Sequence, residues 1–128
     1  MTEISELKSW IENAEEDFSA AEALIHLKKP LASAACFHAQ QCAEKYLKTL
    51  LILKDIDFPK THDLPTLDTL CNNAGILTGF SPQQLIDLTE YAVRRRYPGD
   101  QPTLEEAREA IEIASSVRQF ALTFLDLA

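Results

Sequence analysis

The chain of 128 residues is long enough for one domain, residues 1–128, that buries about two-thirds of the surface its unfolded form exposes, so no disulfide or structural metal is needed to hold a core. Apolar residues make up 46% and charged residues 25%, which excludes a disordered or collagen-like composition. A net charge of -8 gives a field that repels polyanions, excluding non-specific coating of nucleic acid, and no apolar run approaches the roughly 18 residues of a membrane span.

The opening MTEISELKSW has neither the basic start nor the apolar stretch of a signal peptide, so a cytoplasmic location is expected. Ile4, Leu7, Ile11, Ala14, Phe18, Ala21 and Ile25 then recur at steps of three and four, predicting an amphipathic helix over about 3–28. Glu12, Glu15, Glu16, Asp17 and Glu22 are read as its solvated face. Lys28 and Lys29 suit the negative end of that helix, and Pro30 follows.

From Leu31 to Leu53 the chain is apolar nearly all round, with a thin polar stripe through Gln41, Glu44, Lys45 and Lys48, which predicts a central helix. A polar connection, KDIDFPKTHD, leads to a short helix over Pro65–Asn73 that ends at Ala74-Gly75. Ser81, Pro82 and Gln84 predict the start of a fourth helix running to about Arg96, stopped by Pro98. Thr103 and Glu106 form the capping box of a last helix that runs nearly to the C-terminus. With no period-two alternation and no hairpin turns, the expected class is all-α: an up-down antiparallel four-helix bundle with one additional short helix.

Chemistry has few places to reside. The three cysteines, Cys36, Cys42 and Cys71, form no CxxC pair and read as buried thiols. P-loop, GxGxxG, GxSxG, HExxH and EF-hand patterns are absent, and His26, His38 and His62 are too scattered for a metal site, so neither metal nor cofactor is expected. His38, Gln41 and Lys45 share one face of the central helix, with Glu44 beside them; they could meet a ligand or form a polar seam between helices. Arg94, Arg95 and Arg96 are three of five arginines and stand together at a helix end. Guanidinium forks suit phosphate oxygens and Tyr97 offers a ring for stacking, but the same cations also suit the helix dipole and the acidic last helix. Arg96 and Tyr97, held by Pro98 near the Gly99-Asp100 turn, are the favoured phosphate contacts, since Arg94 and Arg95 point elsewhere around the helix.

FHAQQCAEKYLKTLL at 37–51, FPKTHDLPTL at 58–67 and LTEYAVRRRYP at 88–98 together resemble the hallmark stretches of the HEPN domain family. The resemblance implies a helical bundle that forms a homodimer, works with a minimal nucleotidyltransferase in pairs akin to toxin and antitoxin, and binds a nucleotide or RNA. It does not imply a membrane or DNA partner. Many members are metal-independent ribonucleases whose motif is an Arg, four to six residues, and a His between the late helices. Here no histidine follows residue 62, Asp100 stands where one is expected, and the Arg-x-x-x-x-His-x-Tyr form is also unmatched, Tyr97 lying outside its frame. The expectation is therefore a nucleotide- or RNA-phosphate-binding protein without catalysis of its own. The alternatives are a ribonuclease using Arg96 with Asp100 or His62, and a purely structural module for dimerisation and recruitment.

Overall fold

The computed structural model describes residues 4–94 and 98–127. Five helices follow in chain order: α1 (Ile4–Ile25), α2 (Ala32–Leu53), α3 (Leu64–Asn73), α4 (Pro82–Arg94) and α5 (Leu104–Phe124). There is no strand among the described residues. The long helices form the expected all-α bundle, with α3 as the short addition.

The centre is α2, which packs against each of the other four helices. Cys36, Ala39, Ala43, Tyr46, Leu47 and Leu50 are all fully buried along it. Small residues at α1 positions Ala14 and Ala21 and α5 positions Ala107, Ala110 and Ala114 let those helices approach closely. All three thiols are free and buried, and burial pushes Cys36 and Cys71 up to about 12 and Cys42 up as well, so none is a ready nucleophile.

Helix ends show why the boundaries lie where they do. α1 stops at Ile25, three residues short of the expected end, because Pro30 lacks an N–H and the chain turns back so that Leu31 N–H donates to the Leu24 carbonyl at 3.0 Å. Lys28 and Lys29 consequently lie beyond the helix rather than in its last turn. α3 ends in a Schellman motif: Gly75 has φ +86, its N–H donates to Asn72 O at 3.1 Å, and Ile76 N–H donates to Cys71 O at 2.9 Å. The capping box of α5 is complete, with Glu106 N–H donating to Thr103 Oγ1 at 3.1 Å and Thr103 N–H donating to Glu106 Oε1 at 3.0 Å.

The α3–α4 connection is held from inside by Asp68. Thr78 Oγ1 donates to Asp68 Oδ1 at 2.5 Å, while Asn72 Nδ2 lies 3.3 Å from Oδ2 and Asn72 Oδ1 accepts from Thr78 N–H at 3.2 Å. Burial raises the Asp68 carboxyl above its ordinary value, outweighing these hydrogen bonds.

Two outcomes test this account. Leu50→Ala should lower unfolding free energy by about 2–5 kcal/mol in urea titration, whereas a loss below about 1 kcal/mol would contradict a central α2. An acid whose pKa is raised on folding contributes stability at low pH that is lost as pH rises through the folded-state value. The stability of Asp68→Asn relative to wild type should therefore improve between about pH 3 and pH 7, and a pH-independent difference would contradict burial of a charge.

Candidate functional site

The polar residues of α2 meet three carboxylates. Asp17, buried on α1, accepts from His38 Nδ1 at 2.9 Å and from Lys45 Nζ at 2.6 Å. The face shared by His38 and Lys45 is thus a polar seam between α1 and α2. Glu15 accepts from Tyr46 Oη of α2 and from Arg118 of α5, with Nε at 2.6 Å and Nη2 at 2.8 Å, tying three helices together. The Arg118 guanidinium holds the Glu15 carboxyl below its ordinary value, and the Tyr46 phenol is pushed up by burial and by that carboxylate. Two members of the acidic face of α1 that the sequence reads as solvated therefore bridge helices instead, Asp17 buried and Glu15 at the half-exposed edge.

The third carboxylate, Glu44, is buried and has three donors. Lys48 Nζ donates to Oε2 at 3.0 Å, His62 Nδ1 to Oε1 at 2.8 Å, and Gln40 Nε2 to Oε1 at 3.3 Å. Gln40 Nε2 also donates to the His62 carbonyl at 2.9 Å, and Gln41 Nε2 donates to Gln40 Oε1 at 3.0 Å. The His62 side chain is 79% exposed although its Nδ1 is anchored to a carboxylate only 6% exposed. Since a carboxylate oxygen accepts, Nδ1 carries the proton, and in the neutral ring Nε2 keeps its lone pair.

A cavity of about 150 Å³ lies beside this hub, lined by Phe37, Gln40 and Gln41 of α2, by His62, and by Thr89, Ala92 and Val93 of α4. It brings Gln41 and His62 together and reaches the last turn of α4, just before the arginine run. His38 and Lys45 do not line it.

At that end of α4, Arg94 is committed to other side chains. Its Nη2 lies 2.6 Å from Glu106 Oε2 and Nη1 3.3 Å from Oε1, Nε lies 3.7 Å from Glu90, and the guanidinium sits 5.1 Å from the Tyr91 ring centre. Arg94, followed by the backbone bond from Thr103, holds the Glu106 carboxyl below its ordinary value. Tyr91 Oη donates to Glu109 Oε2 at 2.5 Å, which pushes the phenol up. Arg95, Arg96 and Tyr97 lie outside the described residues; Asp100, past the turn made by Gly99 at φ +87, is exposed.

The sequence reading missed Asp17 and the roles of Glu15 and Gln40, while the capping role of Glu106 was read and only its pairing with Arg94 was left unassigned. Asp17 was findable, because it falls three residues after Ala14 and four before Ala21, inside the apolar stripe rather than opposite it. Among the described residues, no group of three or more His, Cys, Asp or Glu could hold a metal ion, and no helix is long and apolar enough to cross a membrane.

A family model, the HEPN domain, matches residues 7–124. The chain belongs to the HEPN family. Two solved structures share this HEPN chain's fold. TT1696 from Thermus thermophilus is similar with a TM-score of 0.73 and 24% identity, over 91% of this chain and 96% of that one. ST0689, an archaeal HEPN homologue, is similar with a TM-score of 0.68 and 25% identity, over 93% of this chain and 97% of that one. No curated protein is matched by the sequence.

Proposed function

We propose that this HEPN protein binds a nucleotide or RNA through its phosphates, as a homodimer that works beside a minimal nucleotidyltransferase in a two-component, toxin–antitoxin-like pair. The observation that carries the reading is the cavity between α2, His62 and α4, which reaches Ala92 and Val93 in the last turn of α4. One wall offers the amides of Gln40 and Gln41 and the His62 imidazole; the other is the α4 segment Thr89–Val93, which in sequence shortly precedes Arg95, Arg96 and Tyr97. Because Arg94 is neutralised by Glu106, phosphate contacts fall to the residues after it, with Arg96 foremost. Exposed Ile86 and Val93 on the outer face of α4, with Pro65 beside them, support a partner surface next to the site.

Titration with ATP and with short single-stranded RNA tests the site. Arg96→Ala should weaken binding by about 1.5–3 kcal/mol with little change in thermal stability, whereas Arg94→Ala should chiefly lower stability by loosening α4 from α5. If Arg96→Ala binds as wild type yet melts several degrees lower, Arg96 is an ion-pair partner and the phosphate site is wrong. If neither ligand binds while the dimer persists, the protein is a structural recruitment module. Sedimentation at micromolar concentration should show a dimer, and a clean monomer would refute the homodimer.

A further inference from the structure

We propose that the groove between the first turns of α1 and the end of α2 docks a basic segment of a second protein, one arginine of which lies across Trp10 with its guanidinium among Glu6, Asp55 and Asp57. This surface stands apart from the phosphate site. The two cavities share no lining residue, and Ile52 comes eleven positions after Gln41 on α2, about 16 Å of helix.

Two helix ends build the groove. Glu6 and Trp10 are four residues apart on α1 and so share a face. Across from them α2 finishes in a left-handed turn: Asp55 has φ 54, its N–H donates to Ile52 O at 3.0 Å, and Ile56 N–H donates to Leu51 O at 2.9 Å. That turn packs Ile56 against the core and leaves Asp55 and Asp57 exposed on either side of it. Together with Phe58 these residues line a cavity of about 730 Å³.

Trp10 carries the inference. It is the single tryptophan of the chain, yet among the described residues it lies outside the core cluster and contacts no other ring. Its indole N–H, Glu6 and Asp57 have no hydrogen-bond or ion-pair partner among those residues. A second cleft of about 230 Å³, lined by Ser9, Asn13 and Lys45, adjoins the same ring. Core packing therefore does not account for this side chain, and tryptophans at a surface concentrate binding energy where partners dock.

Charge selects the occupant. Carboxylates here repel nucleic acid and anionic lipid and attract a cation. A tryptophan face beside carboxylates suits a guanidinium above other cations, because the planar group stacks on the ring while its fork meets carboxylate oxygens in pairs. The Phe58 ring already carries the Lys48 ammonium, 5.6 Å from its centre, so the incoming cation is assigned to Trp10. The groove has room for more than one side chain, and Ile56 offers apolar surface to the residue next to the arginine. A polypeptide supplies both a cation and that neighbour, whereas a free polyamine is a thin chain that leaves the indole mostly uncovered.

The test titrates the full chain with the peptide acetyl-Gly-Ser-Leu-Arg-Leu-Arg-Ser-Gly-amide, reading the fluorescence of Trp10, which reports this groove alone because no other tryptophan is present. The arginine peptide should change the emission saturably, and the same peptide with glutamine at both arginines should not. With a dye-labelled peptide, Trp10→Ala should weaken binding at least about tenfold. Glu6→Gln combined with Asp57→Asn, both exposed and unbonded so that circular dichroism is kept, should weaken it about fivefold or more. Glu12→Gln combined with Glu16→Gln removes the same charge from exposed positions outside the groove and should change binding by less than about twofold. Equal weakening by the two double variants would show that the peptide reads bulk charge and would overturn the site, as would no binding by wild type. Spermidine binding as tightly as the peptide, or a short RNA competing with it, overturns a protein segment as the occupant.

Discussion

Packing α2 against four helices obliges most of its polar side chains to find partners within the protein, and the carboxylates that meet them organise the bundle. A buried ionic or hydroxyl group without a partner costs several kcal/mol, so each of these contacts is a condition on how neighbouring elements dock. Glu15 can meet Tyr46 and Arg118 together only if α1, α2 and α5 all converge on it. Asp17 joins α1 to α2 a short way along, through His38 and Lys45. Glu44 draws the α2–α3 connection onto the bundle by way of His62. Apolar packing supplies the driving force, while these carboxylates favour the arrangement of helices in which His38, Lys45, Tyr46, Lys48 and Arg118 find acceptors.

The end of α4 follows the same rule with the signs reversed. Arg94 is the charge needing a partner, and Glu106 provides one while also closing the α5 capping box. Tyr91 and Glu109 add a second tie between the two helices. One carboxylate thereby ties the start of α5 to the last turn of α4. The adjoining groove between α2 and α4 owes its mixed lining to the same docking, which sets the amides of α2 opposite Thr89 and Val93.

Periodicity and capping chemistry were enough to place the five helices, because an apolar stripe at steps of three and four is a local consequence of helix geometry. Gly75 and the Thr103–Glu106 box mark ends through backbone conformation and short-range hydrogen bonds, and both were legible for that reason. The end of α1 was not, since it depends on Leu31 N–H folding back to the Leu24 carbonyl rather than on any helix-breaking residue before Pro30. The family, too, could be read from three short stretches in the right order.

Pairing among charged residues was decided by the tertiary structure alone. Glu15 and Arg118 are 103 residues apart, and no local pattern separates Glu15 from the solvated Glu12 and Glu16 around it. Likewise His38 and His62 look alike as isolated histidines, yet one is absorbed by a seam and the other is held at the rim of a cavity. Sequence determines which residues carry charge and which helix face they occupy. Whether a charge meets water, an opposite charge or an open groove depends on how helices dock, because electrostatic partners are chosen by distance through space rather than along the chain.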